Sequence, residues 1–483
     1  MYMRFYLVVL LAALFLAATP ALAAVRTLTV GMSGSDVTSV QNILISNGYL
    51  AAGKNTGYFG SLTLSAVQKF QCDKSVVCSG SSWGVVGPMT QTALQIASAP
   101  KQPSAINSTM TAAATGKFEV SGWVPDWRAA SGTLDVAPHL AQMASVMPFG
   151  YIVDGSGDLV DQAHINQDPW PAFIAAAKAQ KVRVVPTLEW GSGTAIQDVL
   201  SNTTKRIALE DEIASLVKTR GYDGIDIDFE AKQAQTINYF STFLKGLYQR
   251  MGTKWVYCTV EARMPLEDRY SPGATIPSDA TEFANDYSAM NQYCDRVELM
   301  AYDQGTVDVR LGAARVAPYA PVADPGWVED IVRLAAQSIS RNKLILGIPT
   351  YGYEYSVTPQ GDGTYKYQRL WAFNPNYATQ LAAQLGIVPK RTSANEIGFT
   401  YIDGTQAPQG DNSTQVQQST PTTSITQNQG SSVNTSQPFN YVTWSDAQSM
   451  ADKVSLAHTL RLRGVAVFSL GGAEDQGMWG ILK

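Results

Sequence analysis

Four acids stand close together in Gly221-Tyr222-Asp223-Gly224-Ile225-Asp226-Ile227-Asp228-Phe229-Glu230. Carboxyl groups packed this closely cannot all ionise, so at least one is held protonated near neutral pH and can donate a proton to a leaving oxygen. Ile225, Ile227 and Phe229 alternate with Asp226, Asp228 and Glu230, which is the two-residue period of a β-strand and places three acids on one face. Burying each carboxylate costs several kcal/mol, so the acidic face is expected to line something wet.

The flanking residues fix the setting of that strand. Leu209, Ile213, Leu216 and Val217 make a helical stripe before it, and Ile237, Phe240, Leu244, Leu247 and Met251 make another after it. A strand between helices belongs to a parallel sheet covered on both faces. From Phe118 onward, eight strand-like runs alternate with helical ones: 120–124, 145–151, 182–188, 224–229, 255–260, 296–301, 344–348 and 464–469. Helical segments are expected at 171–180 and 327–340 among others. Eight βα units predict an α/β fold, a closed (β/α)8 TIM barrel, whose catalytic residues come from strand ends. No Gly-x-Gly-x-x-Gly follows a strand to hold a nucleotide.

The spacing Asp223-x-x-Asp226-x-Asp228-x-Glu230 resembles the Asp-x-x-Asp-x-Asp-x-Glu signature of glycoside hydrolase family 18, the chitinases and related N-acetylglucosaminidases, at all four acids. The resemblance implies the same barrel and a substrate-assisted reaction, in which the 2-acetamido oxygen of the sugar attacks the anomeric carbon with net retention. By motif position Glu230 is the general acid, Asp228 orients the acetamide, Asp226 shares a proton with Asp228, and Asp223 is structural. A second segment, Met300-Ala301-Tyr302-Asp303, resembles the family's Met-x-Tyr-Asp. It implies that Tyr302 hydrogen-bonds the acetamide carbonyl while Met300 and Asp303 line the site.

Two departures stand out. The third strand ends Thr187-Leu188-Glu189-Trp190-Gly191 where many chitinases have Ser-x-Gly-Gly, so support for the first Asp of the cluster differs. The eighth carries Phe468 where the family commonly has a Trp floor under the scissile sugar. Trp123 and Trp444 are candidates either for sugar stacking or for rim packing. The C-terminal runs 441–447, 463–467 and 470–475 look more like the bacterial wall and spore-cortex branch of the family.

The chain of 483 residues is long enough for two domains. Hydrophobic residues make up 45% and charged residues 16%, with a net charge of -5, which gives no electrostatic footprint for nucleic acid. Ten Trp and 22 Tyr supply rings suited to sugars as well as to cores. Residues 1–23 read as a secretory signal peptide, with Arg4, an apolar run from Phe5 to Ala18, and Ala21-Leu22-Ala23 before the cut; retention as a membrane anchor is the alternative. Export permits disulfides. A Cys72–Cys78 bridge would stabilise by roughly 2 kcal/mol, whereas Cys258 and Cys294 are expected as buried thiols. His139, His164 and His458 have no second ligand at metal spacing, so neither metal nor other cofactor is expected.

Residues 24–98 read as a small three-helix domain. Its punctuation, Gly31-x-x-Gly34-x-Asp36-Val37-x-x-Val40-Gln41, Tyr58-Phe59-Gly60-x-x-Thr63, Phe70-Gln71 and Gly84-x-Val86-Gly87-x-x-Thr90, resembles a peptidoglycan-binding-like domain. Residues 99–117 form a Pro/Ser/Thr/Ala linker that would let one domain hold a polymer while the other searches it. Within the barrel portion, 118–483, residues 353–401 are expected as a small α+β insertion, and 403–437 as a Gln/Ser/Thr/Asn-rich loop too polar to order itself, closing a hairpin between 399–402 and 441–444. The leading expectation is a secreted or wall-associated monomeric N-acetylglucosaminidase acting on peptidoglycan, with no membrane contact after signal cleavage. A chitinase acting on a chitin-type glycan is the alternative within the same chemistry, and a non-catalytic sugar-binding protein the alternative outside it.

Overall fold

The computed structural model describes residues 27–74, 76–79, 82–94, 114, 116–270, 274–307, 318–361, 363–402 and 437–483. The segment expected as a signal peptide, nearly all of the expected linker and the loop at 403–436 lie outside the described residues.

Eight parallel strands close on themselves. In chain order the sheet contains β1 (Glu119–Pro125), β2 (Ser145–Val153), the short β3 (Leu159–Asp161), β4 (Arg183–Val184), β5 (Thr187–Trp190), β6 (Gly224–Phe229), β7 (Trp255–Glu261), β8 (Arg296–Met300) and β9 (Leu344–Pro349). The added strands β10 (Gly352–Pro359), β11 (Tyr365–Phe373), β12 (Lys390–Arg391), β13 (Ile397–Tyr401) and β14 (Phe439–Trp444) follow, and β15 (Gly464–Phe468) is the last barrel strand. β15 pairs with both β9 and β1, and β1 pairs with β2, so the barrel has no open edge. β3 folds back antiparallel on β2 outside the ring.

The third barrel strand was expected as one run, 182–188. It is instead two pieces, β4 and β5, interrupted at Val185-Pro186 and extended to Trp190. Pro186 has no N–H to give to the ladder, which is why the run breaks there.

The helices before and after β6 bury the stripes read from sequence. Residues Thr203–Arg220 bury Leu209, Ile213 and Val217, and Ile237–Met251 bury Phe240, Phe243, Leu244, Leu247 and Met251. Asn202 caps the first helix by accepting from the backbone N–H groups of Thr204 and Lys205, and Gly221 ends it at φ +65°, a left-handed conformation that suits glycine. Phe229, pointing outward from β6, stacks on Phe243 at 5.4 Å and lies 6.0 Å from Phe240. Each such buried aromatic contributes about 2–3 kcal/mol over an exposed one, and together they fix the strand's register so that its acids face inward.

Cys258 and Cys294, expected as free thiols, are bridged, with Cα atoms 6.0 Å apart. Cys258 points from β7 into the helical layer, and Cys294 ends the helix Tyr287–Tyr293 that packs there. The sequence separation of 36 hid this contact. Closing a loop of that length stabilises by roughly 4 kcal/mol on the chain-entropy account. Cys72 and Cys78 are also bridged.

The expected hairpin between 399–402 and 441–444 forms, with β13 paired antiparallel to β14, and it joins the inserted sheet. β11-β10-β14-β13-β12 form an antiparallel sheet, covered by the helix Pro375–Leu385 through Phe373, Ala378, Leu381, Leu385, Phe399 and Trp444. β14 is therefore part of this unit. Trp444, 3% exposed, is core of it and presents no face to a sugar.

The N-terminal module contains the three expected helices, Ser35–Ser46, Ser61–Asp73 and Pro88–Ala93. Buried Gln71 donates to Thr90 Oγ1 at 2.8 Å and to the Val85 carbonyl at 2.9 Å, tying the third helix and the turn before it to the second.

Candidate active site

Strand β6 turns Asp226 and Asp228 into the barrel, and Glu230 stands just past its end. The acidic face was expected to be wet, and the lower part is not: Asp226 is fully buried and Asp228 is 3% exposed. Hydrogen bonds make this tolerable for Asp226. It accepts from Thr187 Oγ1 on β5 at 2.9 Å, Thr259 Oγ1 on β7 at 2.8 Å and Trp123 Nε1 on β1 at 3.0 Å. Burial still raises its carboxyl above the usual range. Thr187 thus supplies the support that the altered third-strand motif had put in question. Trp123, 1% exposed, is not a stacking platform; its indole N–H holds Asp226.

A further carboxyl lies behind this one. Glu298 on β8 is fully buried and accepts from Ser121 Oγ at 3.2 Å and Thr259 Oγ1 at 3.4 Å. Thr259 has one proton to give, so it cannot serve Asp226 and Glu298 together. Burial, then the neighbouring Asp226, pushes Glu298 well above its ordinary range.

Asp228 has no such support. Its Oδ1 is buried without a hydrogen-bond partner. Burial first, then the charges of Glu230, Asp226 and Glu189, pushes its carboxyl well up. Glu230 is raised to about 7, chiefly by burial and then by Glu261 and Glu189, with Lys232 pulling the other way. Lys232 is almost wholly buried, 3.8 Å from Glu261, and its ammonium lies 4.8 Å over the Phe240 ring. Glu261, at the end of β7, also accepts from the Ala231 N–H at 2.7 Å and so holds the turn that follows Glu230. Asp223 faces away from the cluster and accepts from the Val184 N–H at 2.9 Å.

An aromatic cage surrounds the acids. Tyr302 stacks on Phe468, with centroids 5.8 Å apart and planes 18° off parallel. Phe468 also meets Trp123, Phe149 and Tyr351. Gly347 on β9 leaves the room that Tyr302 occupies: a Cβ there would lie 2.9 Å from Tyr302 Cε1 and 2.5 Å from the Leu299 carbonyl. Burial, and then the charge of Asp228, holds the Tyr302 phenol well above its ordinary range, so it remains a donor. Asp303, in a left-handed conformation at φ +64°, accepts from Tyr351 and from Tyr353, the latter at 2.6 Å. Met300 ends β8, half-buried. Beside the cage a cleft of about 410 Å³ opens, lined among others by Asp126, Trp127, Phe149 and Glu189. Trp127 is 52% exposed there.

The structure therefore gathers Asp226, Asp228, Glu230, Tyr302 and Phe468 at one barrel mouth, with Met300 and Asp303 on the adjoining strand end, and excludes Trp444. Sequence reasoning assigned no role to Glu189, Lys232, Thr259, Glu261 or Glu298. Glu189, Lys232 and Glu261 lie at or just past a barrel strand's end, and that position was the available signal.

This arrangement can hold a proton at Glu230, keep Asp228 short of a partner until a ligand arrives, and seat an apolar sugar face on Phe468.

A model described as "Putative peptidoglycan binding domain" matches residues 33–94. The uncharacterized glycosylase YvbX of Bacillus subtilis is 24% identical over 286 residues, which are 59% of this chain and 67% of that protein. The cortical fragment-lytic enzyme of the same organism is 23% identical over 286 residues, 56% of this chain and 52% of the relative. The crystal structure of the Bacillus megaterium spore cortex-lytic enzyme SleL superposes with a TM-score of 0.55 at 19% identity, covering 76% of this chain and 73% of that one, a likeness of fold. The family model "Glycosyl hydrolases family 18" matches residues 140–473, well over half of the chain, and with the acids gathered at the strand ends this protein belongs to glycoside hydrolase family 18.

Proposed function

We propose that the protein is an exported, retaining β-N-acetylglucosaminidase that cleaves peptidoglycan glycan strands by substrate-assisted catalysis. The observation that carries the chemistry is Asp228 Oδ1, buried and without a partner between two other acids. A buried polar atom left unpaired costs about 1–3 kcal/mol, and the N–H of a sugar's 2-acetamido group is the partner it lacks. Once that bond forms, Asp228 turns the acetamide oxygen toward the anomeric carbon. The Tyr302 hydroxyl donates to the same oxygen and orients it. Glu230 gives its proton to the glycosidic oxygen as the C–O bond breaks, and the acetamide oxygen closes on the anomeric carbon as an oxazolinium ion. Water, deprotonated by Glu230, then attacks the anomeric carbon from the face the leaving group vacated as its bond to the acetamide oxygen breaks and the acetamide is restored, so the anomeric configuration is retained.

The substrate reading rests on the module at 33–94, whose family description names peptidoglycan, and export rests on the apolar segment within residues 1–23. The test is to incubate the mature protein with purified peptidoglycan and, separately, with colloidal chitin, and to identify new reducing ends by mass spectrometry. N-Acetylglucosamine ends released from peptidoglycan, and absent with Glu230→Gln, are the expected result. Release from chitin alone would move the substrate, and release from neither would overturn the enzymatic reading.

A further inference from the structure

A second cleft, of about 550 Å³, opens beside the loop that follows Glu230. Its lining includes Ala234 and Gln235 from that loop, and Arg263, Phe283, Asn285 and Tyr287 from the segment between β7 and β8. Arg263 is the unusual member. Its guanidinium carbon lies 3.8 Å from the Phe283 ring centroid and 4.0 Å from that of Tyr287. Both faces of the group are covered, so only its edge remains for a partner. One N–H is used, by the Asn285 carbonyl. Among the described residues Arg263 makes no ion pair.

A further observation points the same way. Asn285 Oδ1 is buried with no hydrogen-bond partner. The Asn285 amide orientation is fixed from its other side, where Nδ2 donates to Glu261 Oε2 at 3.4 Å, so Oδ1 is left as an acceptor in want of a donor. The nearby carboxylate of Asp286 does not fill the Arg263 edge; it caps the next helix by accepting from the Ser288 N–H at 2.8 Å and the Ala289 N–H at 3.3 Å. A stacked guanidinium edge fits a planar carboxylate in bidentate fashion, and an orphan amide oxygen fits an N–H. A group that carries both is an acylated amino acid.

We propose that this cleft binds the carboxylate-bearing peptide branch of a muramyl sugar, with Arg263 taking a carboxylate and Asn285 Oδ1 an amide N–H. This rests on the glycan-hydrolase reading above and names the feature by which the enzyme would distinguish peptidoglycan from chitin. Arg263 is then a specificity-determining residue outside the catalytic machinery.

The test compares full-length wild type, Arg263→Gln and Arg263→Lys on three substrates: peptide-bearing glycan strands, the same strands stripped of peptide by an amidase, and chito-oligosaccharides. We expect Arg263→Gln to raise KM roughly ten- to hundredfold for the peptide-bearing strands, the loss of a charged hydrogen-bonded contact. It should leave kcat, and both parameters on the other two substrates, unchanged. Arg263→Lys should recover only part of the KM because it cannot present a fork. As a binding measurement free of turnover, Glu230→Gln should bind a soluble disaccharide-peptide more tightly than the bare disaccharide by calorimetry, and adding Arg263→Gln should remove that difference. Equal KM on stripped and peptide-bearing strands in wild type, or an equal loss on all three substrates in Arg263→Gln, overturns the proposal. Either outcome leaves the hydrolase reading standing provided that cleavage still depends on Glu230.

Discussion

Trp123 on the first barrel strand donates its indole N–H across the barrel to Asp226 on the fourth, at 3.0 Å, inside a core that excludes water. One polar atom of an otherwise apolar ring thus holds the acid that neighbours Asp228. Trp123→Phe keeps an aromatic at the position but deletes the donor and the pyrrole half of the indole. We expect a loss of about 1–3 kcal/mol in stability, read as a lower Tm in calorimetry, together with a fall in kcat as Asp226 loses its orientation. An unchanged Tm and kcat would show that Thr187 and Thr259 suffice.

Glu230→Gln tests the proton donor. The glutamine is nearly isosteric and cannot supply a proton, so turnover on a chromogenic chito-oligosaccharide should fall by about 10²- to 10⁴-fold or more, with circular dichroism and oligosaccharide binding retained. Near-normal turnover would remove Glu230 from the role.

The alkaline limb of the rate profile should report the same group. Glu230 is raised to about 7 and in the proposed mechanism acts in its protonated form, so kcat/KM should fall about tenfold per pH unit above that value. Glu261 raises it and Lys232 lowers it. Glu261→Gln should therefore move the limb to lower pH, and Lys232→Met should move it to higher pH. Shifts of the same sign in both variants would contradict the electrostatic account.

The same protons link activity to stability. Asp228, Glu230 and Glu298 all have folded-state values raised above their ordinary ones. Through these three groups the folded state binds more protons than the unfolded one above about pH 4.5, and the stability they contribute is lost as pH rises toward and through 7. Wild-type Tm should be lower at pH 8 than at pH 6, and Glu298→Gln, whose amide is neutral throughout, should flatten that slope. A Tm that rises across the interval would reverse the sign of the argument.

The barrel was legible because its signals are local. Alternation in 224–229 and the stripes at Leu209, Ile213 and Val217 and at Phe240, Leu244 and Leu247 are periodic over a few residues, and they fix which face of β6 carries the acids. The acids and Tyr302 were legible for the same reason, as short motifs at strand ends. What escaped notice depends on contacts across the sheet. Glu298 and Thr259 matter because β6, β7 and β8 are neighbours in the ring, and Cys258 meets Cys294 only once a helix has returned over β7. Trp444 misled because an aromatic beside a barrel strand reads alike whether it faces a groove or, as here, the core of an inserted sheet.

The module at 33–94 gives the last prediction. It buries Leu44, Val67, Phe70 and Val86, and it shares none of the acids argued above. If it holds the glycan while the barrel cleaves, deleting residues 24–98 lowers the effective concentration of an insoluble substrate at the active site without altering the site itself. Turnover of a short soluble oligosaccharide should then be unchanged, while release from insoluble peptidoglycan falls, and adding the isolated module in trans should not restore it. Equal loss on both substrates would mean that the module supports the barrel's structure, and equal retention on both would leave it without a part in hydrolysis.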